Sequence, residues 1–136
     1  MDSKTIKECE KILNYKFQNT NLIIQALTHS SARDSENDGN ERLEFLGDAV
    51  LGMIISEYLF ENFPEYQEGE LTRIKSAVVS RTSLAEVTND LGLMAFVKLG
   101  KGLAIKAKIP TSVLANIYEG VVAAMYLDGG LKVATD

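Results

Sequence analysis

Three acids stand at Glu41, Glu44 and Asp48 inside the run "NERLEFLGDAVL". On a helix turning about 100° per residue, their carboxylates fall within roughly 60° of arc and form one stripe. Leu43, Leu46, Val50 and Ile54 fall on nearly the opposite side, as a core-facing helix requires. Like charges three and four residues apart repel, so the stripe calls for something positive against it. A bound cation is one answer and solvated surface carboxylates are the other.

A second acidic position lies in "SVLANIYEGVVAAMYLDGG", where Asn116 and Glu119 are one helical turn apart. Leu114, Ile117, Val121, Val122 and Met125 give that segment its apolar surface. If the two helices pack side by side, Glu44, Asp48, Asn116 and Glu119 converge on an all-oxygen pocket. Such a donor set suits Mg²⁺, or Mn²⁺ as a substitute, rather than zinc. His29 is the only histidine, which argues against a histidine-based zinc or di-iron site and reads better as a hydrogen-bonded helix-end residue. Phe45 lies about 70° from the centre of the acid stripe and away from the apolar side. Its ring is therefore buried either by a partner or by a neighbouring helix. Gly47, toward the apolar side, points to a close helix–helix approach.

The elements that position these residues read as helices, since no stretch alternates with period two. Helices are expected over 3–13, 20–29, 40–62, 69–80, 82–92 and 111–127, giving an all-α fold. Asn19, Thr20 or Asn21 can cap the second and Asn40 the third, and Pro64 ends the third. Leu71, Ile74, Val78 and Val79, then Leu84, Val87 and Leu91, are expected as core stripes of the two helices that follow. The segment "LGKGLAIKAKIP" reads as a basic, glycine-containing connection.

At 136 residues, 46% hydrophobic and 24% charged, the chain fits one soluble domain with a single core. The lone Cys9 excludes an internal disulfide; it agrees with a reducing compartment or serves as apolar filler. No apolar run is long enough to span a bilayer, and the charged N-terminus does not read as a signal peptide, so a cytoplasmic location is expected. The net charge of −5 argues against a simple nucleic-acid-binding surface. Residues 1–70 carry 14 acidic and 6 basic side chains, whereas 71–110 carry only Glu86 and Asp90 against Arg73, Lys75, Arg81, Lys98, Lys101, Lys106 and Lys108. That asymmetry describes either two solvated faces or an acidic metal cleft flanked by phosphate contacts.

The run "NERLEFLGDAVL" resembles the signature of the ribonuclease III catalytic domain. The resemblance continues through "NYKFQNTNLIIQALTHSS", "EGELTRIKSAVVSRTSLAEV" and "SVLANIYEGVVAAMYLDGG", in the family's order and over nearly the whole chain. It implies a helical endonuclease domain that forms a homodimer through its signature helices. The implied reaction is divalent-metal-dependent hydrolysis of double-stranded RNA to 5′-phosphate and 3′-hydroxyl ends, in rRNA and mRNA processing. By the same resemblance Glu44, Asp48 and Glu119 match the family's metal-site acids, with Asp48 and Glu119 central to catalysis. Glu41 and Glu68 match supporting acids of the same valley, and Phe45 matches an aromatic that enters the partner subunit. Arg73, Lys75, Lys98, Lys101, Lys106 and Lys108 are the basic side chains available for RNA phosphates. The chain departs from the pattern at Asn116, where the family usually has Asp, so a catalytically impaired or inactive member that binds RNA or serves a structural role is the alternative. The reading is one catalytic domain over 1–136, without a double-stranded-RNA-binding domain in this chain.

Overall fold

The computed structural model describes residues 3–28, 40–97 and 111–131. Six α-helices account for most of them: α1 (Ser3–Leu13), α2 (Thr20–Ala26), α3 (Glu41–Asn62), α4 (Glu68–Val78), α5 (Arg81–Leu91) and α6 (Thr111–Gly129), with a 3-10 turn at Leu93–Phe96 between the last two. No strand occurs among the described residues, as the missing period-two pattern requires.

Local chemistry sets the helix ends. Asn14 takes a left-handed φ of 55° just past α1, a conformation asparagine adopts more readily than most residues. Asn19 caps α2, its side chain accepting from the Asn21 amide at 3.1 Å. Ser80 caps α5 through the Ser83 amide, and Gly92 closes that helix at φ 73°. Asn40 precedes α3 but makes no side-chain cap. It is buried instead, and its Nδ2 donates to the Asn116 carbonyl 3.3 Å away. The long-range bond takes the side chain that a local cap would have used.

Helix α6 runs through the middle of the bundle. It is buried from Val113 through Met125 on nearly every side, which is why its apolar residues surround the axis instead of forming one stripe. Helix α3 packs along it most extensively, then α5 and α2. One apolar cluster joins Cys9 of α1, Ile23 of α2 and Leu43 of α3 to Ile117 and Val121 of α6. A second joins Val50 and Leu51 of α3 and Leu84 of α5 to Ala115 and Val122 of α6. Cys9 is filler in the first cluster, and burial pushes its thiol up to about 11.

Two expected core stripes sit shallower than their spacing implies. No residue of α4 is buried: Leu71, Ile74 and Val79 are half-covered and Val78 is exposed. On α5 the buried positions are Leu84, Ala85 and Thr88, while Val87 and Leu91 face outward. These helices lie at the rim, where one layer of neighbours covers only part of an apolar face. Thr88 tolerates full burial because its single hydroxyl proton is shared between the Leu84 carbonyl (2.8 Å) and the Leu114 carbonyl (3.1 Å).

Candidate active site on helices α3 and α6

Helices α3 and α6 approach closely at Gly47. A Cβ there would overlap the Glu119 carbonyl oxygen and lie 2.6 Å from the carbonyl carbon, so only glycine permits this approach. The backbones touch one residue before Asp48 and at Glu119 itself. Those two carboxyl groups are consequently brought within hydrogen-bonding reach of one another.

A hydrogen bond between two carboxyl groups requires a proton on one of them. Burial, the bond to Asp48, and the charges of Asp48 and Glu44 push Glu119 up to about 7, against an opposing pull from Arg81. Glu44, one turn before Asp48 on α3, is half-buried. Burial raises its carboxyl, as do Glu41 and Asp48, with Arg81 again opposing. Glu44, Asp48 and Glu119 thus form one electrostatic cluster from two helices.

The remaining predicted positions surround this cluster unevenly. Glu41 opens α3, is exposed, and acts on Glu44 through its charge. Asn116 is half-buried one turn before Glu119, with its backbone carbonyl held by Asn40. Glu68 opens α4 on the surface, and its carboxylate accepts from the Thr72 hydroxyl at 3.4 Å. It is not among the groups acting on Glu44 or Glu119. Among the described residues, no three His, Cys, Asp or Glu side chains are disposed to enclose an ion together. The neighbouring carboxyls that raise Glu119 favour its protonated form, and a divalent ion at these oxygens would compete with that proton.

Of the basic candidates, Arg73 is exposed on α4. Lys75 reaches across to α3, its Nζ 3.5 Å from where a Cβ on Gly52 would be, one helical turn past Asp48. Lys98, Lys101, Lys106 and Lys108 lie outside the described residues, as does His29. Arg81, counted among the basic residues but not assigned to the site, is the cation whose charge reaches both Glu44 and Glu119. Its only sequence signal was its place directly after the Ser80 cap.

Phe45 is 82% exposed, so no neighbouring helix among the described residues covers it. Beside it lies a groove of about 680 Å³ whose apolar lining includes Leu22, Leu43, Leu46 and Leu127. No helix among the described residues is long and apolar enough to cross a membrane.

A family model described as Ribonuclease-III-like matches residues 19–136. The chain is 46% identical to ribonuclease 3 of Rhodopirellula baltica over 131 residues, covering 96% of this chain and 49% of that protein. It is 44% identical to ribonuclease 3 of Symbiobacterium thermophilum, over 93% of this chain and 54% of that protein. The chain therefore spans about half the length of these relatives. A crystal structure of the nuclease domain of Campylobacter jejuni ribonuclease III superposes with a TM-score of 0.89 at 38% identity, covering 99% of this chain and 90% of that one. A second structure of that domain, described as flexible in the region involved in dimer formation, gives 0.90 over 96% of this chain and 90% of that one.

Proposed function

Because the chain belongs to the ribonuclease III family, we propose that it is an endoribonuclease domain that hydrolyses double-stranded RNA with a divalent metal, as a homodimer. The products are 5′-phosphate and 3′-hydroxyl ends, and the setting is rRNA and mRNA processing in the cytoplasm. The observation that carries this reading is the meeting of Asp48 and Glu119 across the Gly47 contact, with Glu44 one turn away.

Glu44, Asp48 and Glu119 would hold the ion, with the Asn116 side-chain oxygen available to it or to its water. An all-oxygen set favours Mg²⁺, with Mn²⁺ as a substitute. When bound, the metal supplies an activated water and offsets charge on the scissile phosphate and leaving oxygen. The chain's own part is to hold the carboxylates near one another: α3 and α6 are in backbone contact beside Asp48 and at Glu119. Arg73 and Lys75 are available to hold phosphates. Duplex RNA offers rows of these across a shallow minor groove, so recognition rests on shape and backbone more than on base sequence. The exposed Phe45 ring and its adjacent groove support reciprocal insertion between two copies.

Asn116 favours one second reading, an impaired member, because an amide keeps a carbonyl oxygen for the ion but lacks the negative charge. Cleavage of a long RNA duplex decides between them. The proposed enzyme cuts in Mg²⁺, stops in EDTA, and nearly loses activity as Glu119→Gln. Cleavage only after Asn116→Asp identifies the impaired form, and no cleavage by either chain refutes the enzymatic reading.

A further inference from the structure

Three polar side chains are buried among the described residues: Thr28, Asn40 and Thr88. Thr28 satisfies its hydroxyl one turn back in its own stretch of chain, and Thr88 links two helices. Asn40, 1% exposed, links three. Its backbone amide donates to the Thr28 carbonyl just past α2 at 2.9 Å, its carbonyl accepts from the Glu44 amide in the first turn of α3 at 2.7 Å, and its Nδ2 donates to the Asn116 carbonyl of α6 at 3.3 Å. Gly120 leaves room for this. A Cβ there would lie 3.5 Å from the Asn40 Nδ2 and 3.4 Å from the Ala26 carbonyl oxygen, so α6 has space here for the amide and little else.

Helices α3 and α6 are therefore joined at two polar or backbone contacts, Asn40 to Asn116 and Gly47 to Glu119. Glu44 stands between them on α3, with its own amide held by Asn40. The apolar packing that accompanies these contacts is non-directional and tolerates small slides. A hydrogen bond weakens steeply once its geometry is lost. Asn40 thus reaches one acid-bearing turn on each helix, Glu44 on α3 and Asn116 to Glu119 on α6.

We propose that Asn40 is a positioning residue for the metal site: its three bonds hold the first turn of α3 and the Asn116–Glu119 turn of α6 at one relative height, so that Glu44, Asn116 and Glu119 are presented to one ion together. The inference rests on the reading of that cluster as a metal site. Mg²⁺ demands near-ideal octahedral geometry, so a shift of one helix against the other costs affinity. The role also accounts for an asparagine before α3 that makes no cap. Serine and aspartate cap helices as well, but serine is too short to cross to α6 and ionised aspartate has no proton to donate.

Calorimetric Mn²⁺ titration of the chain, Asn40→Ser and Asn40→Asp tests this, with duplex-RNA kinetics across an Mg²⁺ series and chemical denaturation alongside. Asn40→Ser should bind Mn²⁺ about ten-fold more weakly, the low end of the cost of losing a group that orients metal ligands. Its kcat should recover as Mg²⁺ is raised, while KM for the duplex stays at the parent value. Asn40→Asp adds a negative charge one turn from Glu44, which by charge alone tightens binding. Position and charge then pull in opposite directions, and binding weaker than the parent's is expected. Unchanged Mn²⁺ affinity in Asn40→Ser, with or without a loss of stability, makes Asn40 a structural bridge only and overturns the proposal. Binding by Asn40→Asp as tight as the parent's, or tighter, overturns it too. If Asn40→Ser does not fold, Asn40→Asp, of the same size and a favoured cap, decides alone. A parent chain that binds no Mn²⁺ removes the metal-site reading and this inference with it, whereas a parent that binds Mn²⁺ beside unaffected variants removes this inference alone.

Discussion

Asn116 is the residue at which a change of one functional group has the most to say about chemistry. It stands one turn before Glu119 and presents an amide where a carboxylate would add a full negative charge to Glu44, Asp48 and Glu119. Mg²⁺ dehydrates reluctantly and depends on a few anionic oxygens, so that charge matters most when metal is scarce. Asn116→Asp should raise duplex-RNA cleavage by about ten-fold at limiting Mg²⁺, equivalent to roughly 1.4 kcal/mol, and by less at saturating metal. Rates measured across an Mg²⁺ series check it, and equal rates at limiting metal would remove Asn116 from the site. In metal-free protein the same logic has the opposite sign. Glu119→Gln relieves repulsion within the cluster and should raise the melting temperature slightly in EDTA.

At the scale of elements, Gly47 and Asp128 hold the helices that carry the acids. Any Cβ at Gly47 strikes backbone on α6, which cannot rotate away as a side chain would. Gly47→Ala should therefore destabilise the domain by about 1–3 kcal/mol, the range for overpacking, and separate Asp48 from Glu119. Chemical denaturation and Mn²⁺ titration read the two effects, and unaltered stability would show that α3 and α6 can separate freely. Asp128, near the end of α6, accepts from the Tyr15 hydroxyl (2.5 Å) and from the amides of Gln18 (2.9 Å) and Asn19 (2.8 Å). This ties the α1–α2 connection to the central helix. Burial opposes ionisation of Asp128, but the Tyr15 hydroxyl and the two amides outweigh it and hold the carboxyl below its usual 3.8. A folded value below the unfolded one means that the latch stabilises fully above about pH 4, and that the gain disappears as pH falls through the lower folded value. Asp128→Ala should thus lower stability by about 1–2 kcal/mol near neutral pH and lose this difference in strong acid. Paired denaturation curves against pH measure it, and a difference that grows on acidification would contradict the assignment.

For the whole molecule the question is what covers Phe45. A ring 82% exposed beside an apolar groove is unusual for a finished surface. A twofold dimer resolves it, since the same patch then supplies both ring and socket. Sedimentation should show a dimer, and Phe45→Ala should weaken it by about 2 kcal/mol or more if the ring is an anchor. A parent chain that remains monomeric at tens of micromolar, to order of magnitude, would rule out this use of the groove.

The sequence alone determined the helical class and most helix boundaries, because three-to-four-residue spacing, Asn19 and Pro64 are local signals. It also placed Glu44, Asp48 and Glu119 in one reading, since the motifs holding them are continuous stretches of chain. Tertiary structure decided which apolar stripes are core: α4 and α5 look amphipathic either way, and only their place at the rim leaves Val78, Val87 and Leu91 outside. It turned Asn40 from a local cap into a bridge to α6. It brought the charge of Arg81 within reach of Glu119, and bound Asp128 to a segment more than a hundred residues earlier. Each of these depends on how two helices are docked. Local sequence specifies the helices one at a time, whereas the register between them comes from backbone approach and side-chain packing across the bundle.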